Sequence, residues 1–107
     1  MLIPTVKNLK IAFDLDGTYI SAPKMFDHIY RQFKKAGHRV GILSCRCRRN
    51  CILGFEPDFE FYGDCSSPTI PPQVAWKTKI MLEHGITILF DDMAEAYDGR
   101  VVVIRII

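Results

Sequence analysis

The chain has 107 residues, of which 49% are hydrophobic and 24% are charged, and its formal net charge is +2. This length suits one compact domain and is too short for two, so a single domain spanning residues 1–107 is expected. No apolar run approaches the roughly 20 residues that cross a bilayer, and the first residues lack the apolar core of a secretory signal. The small net charge gives no general attraction to polyanions. A cytoplasmic protein with no membrane partner is therefore predicted.

Short apolar runs alternate with helical stretches along the chain, which is typical of a parallel α/β sheet. The predicted strands are Lys10–Asp14, Val40–Leu43, Phe59–Tyr62, Ile86–Phe90 and Val101–Ile106. The predicted helices are Met25–Ala36, Val74–His84 and the short segment Asp92–Tyr97. Three prolines predict a loop over Ser66–Gln73. The expected fold is α/β: a Rossmann-like three-layer sandwich around a five-stranded, mostly parallel sheet.

The last predicted strand has no helix after it to cover its edge. An exposed apolar edge strand can pair with another chain. A homo-oligomer formed through the C-terminal edge, Val101–Ile107, is therefore an expectation.

The four cysteines leave three interpretations open. They are Cys45, Cys47, Cys51 and Cys65. Structural zinc sites usually use paired C-x2–4-C elements, which this spacing does not provide. Reduced thiols that pack as small apolar side chains are favoured over zinc or a disulfide.

The segment Ile11–Ile20, IAFDLDGTYI, is the most informative part of the sequence. An apolar run leads directly into Asp14 and Asp16, so both acids follow a buried strand. Open α/β sheets bind ligands at the carboxyl ends of their strands. Two neighbouring carboxylates repel each other. A divalent cation, or a chemical task, is the simplest reason to keep both acids there.

Four separated motifs, in the right order, resemble those of the haloacid dehalogenase-like (HAD) hydrolase superfamily. They are Asp14–Thr18, Gly41–Ser44, a lysine before the fourth strand, and Ile88–Asp92. The resemblance implies the sheet order 5-4-1-2-3 and an aspartyl phosphate formed on Asp14. Asp16 would be the general acid and later the base for water, while its carbonyl and the Asp14 carboxylate bind Mg²⁺. Thr18 fits the family pattern and is expected among the phosphate-binding residues.

The second motif places a hydroxyl, that of Ser44, at the end of the second strand. In the family this position donates a hydrogen bond to a phosphoryl oxygen. Cys45-Arg46 is similar to the Ser-Gly-Arg of polynucleotide kinase-phosphatase-type domains, with Cys in place of Gly. Arg46 could therefore bind a second phosphate oxygen. The alternative is a solvated basic turn that also contains Arg48 and Arg49.

The third motif is a lysine whose charge offsets the acids and steadies the phosphoryl group. Lys77 and Lys79 both lie near the start of the predicted helix, two residues apart, and so face different directions. Lys77 is preferred because it lies closer to the helix start, and Lys79 remains the alternative.

The fourth motif ends in the adjacent acids Asp91 and Asp92. Adjacent carboxylates after an apolar strand are costly unless they meet a cation. The resemblance implies that one acid binds the metal and the other fixes the lysine. Asp92 is assigned to the metal and Asp91 to the lysine, with the reverse order left open. A helix N-cap is the alternative for one of them.

Family members usually carry an inserted cap domain, and this chain has no room for one. An open site admits large substrates. The resulting hypothesis is a magnesium-dependent phosphomonoester hydrolase that acts on a nucleotide, a polynucleotide end or another large phosphorylated molecule. A general small-molecule phosphatase and a non-catalytic or regulatory phosphate- and metal-binding module are the alternatives.

Overall fold

The computed structural model describes residues 8–45, 52–63 and 70–105. Its sheet has five strands: β1 (Lys10–Phe13), β2 (Arg39–Ser44), β3 (Glu60–Tyr62), β4 (Ile86–Phe90) and β5 (Val102–Ile104). Every neighbouring pair is parallel, and the order is β3-β2-β1-β4-β5. The predicted α/β class and strand order are therefore confirmed.

Two long helices pack on the sheet: α1 (Pro23–Lys35) and α2 (Ile70–His84). The start of α2 corrects the prediction of a loop up to Gln73. Pro71 and Pro72 lie in its first turn, where the backbone N–H groups have no partner within the helix, so proline costs nothing there. The predicted short helix at Asp92–Tyr97 is only a 3-10 turn over Ala94–Ala96. Among the described residues, no helix is both long enough and apolar enough to span a bilayer.

Each face of the sheet buries its own apolar cluster, because successive side chains of a strand point to opposite faces. The α1 face is aromatic. Phe13 meets Phe26 of α1 with ring centroids 4.9 Å apart, and meets Phe90 of β4 at 5.6 Å. On the α2 face, Ala12, Leu89 and Met81 are fully buried. This alternation carries Asp14, two residues after Ala12, towards α2.

The edge strand β5 exposes 57% of Val102 and 39% of Ile104. Ile106 and Ile107, the end of the segment proposed to pair with a second copy, lie outside the described residues. Association through this edge stays a prediction.

Asp58 ties the segment before β3 to both α1 and β2. Its carboxylate accepts two bonds from Lys34 Nζ, at 2.9 and 2.7 Å, and one from the Val40 N–H at 2.8 Å. Partial burial alone would raise the pKa of Asp58, but these donors outweigh it and hold that pKa below the ordinary value of 3.8. The contact therefore stabilises the fold above that ordinary value, and its contribution is lost as the pH falls through the lowered pKa.

The Asp58→Asn variant is expected to lose about 1 kcal/mol of unfolding free energy at pH 7. The difference from the wild type should begin to shrink as the pH falls below about 3.8 and should vanish only below the lowered pKa, where the carboxyl of the folded wild type is also neutral. Urea unfolding at several pH values measures this. Asp98→Asn is the control, because the Asp98 pair with Arg100 is exposed and should contribute nothing measurable. A difference that persists unchanged in acid would contradict the ion-pair explanation.

Candidate metal centre

Three carboxylates from two segments of the chain meet at the carboxyl edge of the sheet. Phe13 is level with Phe90 in the β1–β4 register, so the next residues, Asp14 and Asp91, emerge side by side. The Asp14 N–H continues the ladder by donating to the Phe90 carbonyl at 2.9 Å. One carboxylate oxygen each from Asp14, Asp91 and Asp92 lies within 4.8 Å of the others. This cluster could hold a metal ion.

A buried lysine joins the cluster from α2. Lys77 Nζ donates to Asp14 Oδ1 at 2.9 Å and to Asp91 Oδ2 at 2.8 Å. Lys79 points elsewhere: its side chain is 69% exposed, and its ion-pair partner is Glu83, at 3.8 Å. The structure therefore brings Lys77, and not Lys79, to the acids.

The electrostatics of the cluster leave an excess of negative charge. Burial raises the pKa of Asp14 to about 7, helped by the Asp91 carboxylate and opposed by Lys77. Burial alone would raise the pKa of Asp91, but the Lys77 ammonium and the hydrogen bonds Asp91 accepts lower it below the ordinary value. The pKa of Asp92 is raised by burial and by the adjacent Asp91.

The same carboxylates keep Lys77 charged. Burial would lower the pKa of Lys77, but Asp14 and Asp91 outweigh this and raise it. With every group ionised, three carboxylates and one ammonium leave two uncompensated negative charges. A divalent cation with a preference for oxygen ligands fits this donor set.

The turn after β1 carries Asp16 over the edge of the sheet. Asp16 and Gly17 have the dihedral angles of a type II turn, with φ/ψ of −67°/128° and 72°/−5°. Asp16 is exposed to solvent. A Cβ atom at Gly17 would collide with the Asp92 carboxylate, whose Cγ would lie only 2.6 Å away. Glycine is therefore required here both for its positive φ and for the space that Asp92 occupies.

Gly17→Ala is expected to be more harmful than Gly85→Ala. Both glycines have positive φ, 72° and 68°, but a Cβ at Gly85 meets nothing within 4 Å. Gly85→Ala should cost about 1 kcal/mol of backbone strain, and Gly17→Ala about 1 kcal/mol more, because the short, partly buried Asp92 side chain must turn away from its place. Chemical denaturation of both variants measures the difference. Equal losses would mean that the Asp92 carboxylate is not held against Gly17.

Thr18 lies in this turn and makes a contact that the sequence did not indicate. Its side chain is fully buried, and its Oγ1 accepts the Asp92 N–H at 3.1 Å. The hydroxyl thus joins the first acidic segment to the second.

Ser44 is the last residue of β2, which neighbours β1, and it is buried at the same edge of the sheet as Asp14. Arg46, predicted to bind phosphate, lies outside the described residues, as do Cys47, Cys51 and Cys65. Of the cysteines, only Cys45 lies in the described part of the chain, where it is partly buried and its Sγ donates to the Gln73 carbonyl at 3.9 Å.

Sequence reasoning missed Tyr97. Its hydroxyl donates to Asp91 Oδ2 at 2.8 Å, while the Met93 N–H donates to Asp91 Oδ1 at 2.9 Å. Burial and the Asp91 carboxylate raise the pKa of Tyr97, so the phenol stays protonated and remains a donor. The bond from Met93 is an Asx-type turn contact. It takes the place of the N-cap considered for these acids, since the 3-10 turn has no side-chain cap.

A scan of protein-family models finds no match to the chain, and searches of curated proteins and of solved structures find none either.

Proposed function

We propose that the protein is a magnesium-dependent phosphomonoester hydrolase that acts through an aspartyl phosphate on Asp14, as in the HAD superfamily that its motifs resemble. The observation that carries the proposal is the convergence of Asp14, Asp91 and Asp92 around Lys77 at the carboxyl edge of a parallel sheet. This arrangement provides a nucleophile, an anion-stabilising cation and acidic ligands in one place.

The Asp14 carboxylate would attack phosphorus and form the new P–O bond while the ester oxygen leaves. Asp16, exposed on the adjacent turn, would give the leaving group a proton. Asp16, now ionised, would then take a proton from the water that attacks the phosphorus of the acyl phosphate. Phosphate leaves, and the Asp14 carboxylate is restored.

The Lys77 ammonium lies 2.9 Å from Asp14 Oδ1, so it would lie beside a phosphoryl group transferred to Asp14. Its charge would stabilise the phosphoryl oxygens in the transition state. Asp14 and Asp92, with the Asp16 carbonyl, would hold Mg²⁺. When bound, the ion supplies further neutralisation of the phosphoryl charge.

The short connection between the acidic turn and α1 favours a large substrate. Only residues 20–22 separate the acidic turn from α1, so no lid can be inserted there. Polynucleotide ends and nucleotides remain the preferred substrates, with Ser44 and Arg46 proposed to bind phosphate oxygens.

The test is phosphate release from p-nitrophenyl phosphate and from 3′-phosphorylated oligonucleotides. We expect turnover with Mg²⁺ and none with excess EDTA. Mg²⁺ should also raise the melting temperature of the wild type, an effect that Asp92→Asn abolishes and the surface control Glu83→Gln retains. Cation binding without any phosphate release would instead support the non-catalytic binding module. If Mg²⁺ neither supports phosphate release by the wild type nor raises its melting temperature, the metal centre is rejected.

A further inference from the structure

Asp91 and Asp92 are adjacent in sequence but have different surroundings. The Asp91 side chain is only 2% exposed, and three donors occupy its two oxygens: Lys77 and Tyr97 on Oδ2, and the Met93 N–H on Oδ1. Asp92 is only partly buried, and its carboxylate lies beside Gly17. A carboxylate that already accepts three hydrogen bonds is held in one orientation.

Tyr97 is well placed to impose that orientation. It follows the 3-10 turn, with its N–H bonded to the Ala94 carbonyl at 3.2 Å. Its ring packs against the apolar cluster on the α2 face. Because this packing holds the ring, the position of the hydroxyl is fixed. Its bond to Asp91 closes the loop of residues 91–97, which carries Asp92.

We propose that Tyr97 is a positioning residue that commits Asp91 to holding Lys77 against Asp14, and so leaves Asp92 to join Asp14 at the cation. The inference rests on the function proposed above and deepens it by giving each acid a separate role: Asp91 positions Lys77, and Asp92 binds the cation. Hydrogen-bond partners of metal ligands are typically worth about 10- to 100-fold in metal affinity or activity. Tyr97 acts on the ligand Asp14 through Asp91 and Lys77, so the lower end of that range is expected.

The test removes only the hydroxyl, with the variant Tyr97→Phe. Tyr30→Phe is the matched control, because the Tyr30 hydroxyl also makes a single hydrogen bond, to the Glu56 carbonyl at 2.7 Å, and lies on the other face of the sheet. Each variant is assayed for Mg²⁺ affinity by calorimetry, for thermal stability without the ion, and for kcat and KM on p-nitrophenyl phosphate.

We expect Tyr97→Phe to weaken Mg²⁺ binding about 10-fold and to lower kcat by a similar factor or more, with KM nearly unchanged. Tyr30→Phe removes an exposed bond to a neutral carbonyl, so it should lose less thermal stability than Tyr97→Phe and should keep both Mg²⁺ affinity and kcat. If the role of Tyr97 were purely structural, the two variants would have the same Mg²⁺ affinity and the same kcat, and that result would overturn the proposal.

A double-mutant cycle tests whether Tyr97 acts through Asp91. In the Asp91→Asn background no carboxylate remains to be oriented, so adding Tyr97→Phe should change Mg²⁺ affinity less than about two-fold. An undiminished effect of Tyr97→Phe in the Asp91→Asn background would also overturn the proposal.

If the wild type binds Mg²⁺ but releases no phosphate, the hydrolase function fails, while the Mg²⁺ affinities of the variants still decide the role of Tyr97. If the wild type binds no divalent cation, both proposals fall.

Discussion

If the protein is the proposed hydrolase, Asp14→Asn is expected to abolish phosphate release, lowering kcat by at least about three orders of magnitude, because the substituted amide cannot form the proposed covalent intermediate. The loss should occur without unfolding. Asparagine has the shape of aspartate and can still accept the bond from Lys77. Burial already disfavours the ionised form of Asp14, whose pKa is raised to about 7, so a neutral group is tolerated there.

Metal-dependent phosphate release and thermal unfolding, measured on one preparation, check this prediction. Glu83→Gln removes an exposed carboxylate from α2 and should match the wild type in both measurements. An Asp14→Asn protein that still releases phosphate at a tenth of the wild-type rate or faster would exclude Asp14 as the nucleophile.

Lys77→Met should have the largest effect on stability. The substitution leaves Asp14 and Asp91 buried without their shared cation, and breaking a buried ion pair in this way costs about 3–5 kcal/mol. Hydrolysis should also fall, by about 100-fold or more, since the charge next to the phosphoryl group is gone. Mg²⁺ should restore part of the stability, because it compensates the same carboxylates.

Denaturant unfolding with and without Mg²⁺ measures both parts of this prediction. Lys79→Met is the matched control: the same substitution on the same helix, at an exposed side chain, should change stability by less than about 0.5 kcal/mol. Combining Lys77→Met with Asp14→Asn should recover part of the loss, since one orphaned charge is removed. Equal stability of the two lysine variants would refute the buried ion pairs.

The sequence was sufficient to predict the parallel sheet and the convergence of the acids at one edge of it. Apolar runs that end in Asp14 and in Asp91-Asp92 predict parallel strands, and the resemblance of the motifs implies that these strands are neighbours. Parallel strands bring their carboxyl ends to one edge. The sequence favours Lys77 over Lys79 only by its place near the predicted helix start. The structure decides between them, because helical spacing separates the two side chains but does not say which one faces the sheet.

Other features depended on contacts that no local pattern encodes. Pro71 and Pro72 are compatible with a loop and with a first helical turn alike, so the start of α2 was predicted too late. The hydrogen bond that the Asp92 N–H donates to Thr18 Oγ1 joins two segments far apart in the chain. Tyr97 reaches Asp91 only because the intervening 3-10 turn folds the chain back on itself.

The pairing of β1 with β4 also makes the acidic cluster a reporter of global folding. Asp14 and Asp92 come from opposite ends of the described chain, and neither segment alone supplies both ligands. An ion held between them would cross-link the two ends of the domain, so its release should loosen the whole sheet cooperatively and not just one loop. Chelation would then act as a denaturing stress, and amide hydrogen exchange at the centre of β1 would accelerate together with exchange in β4.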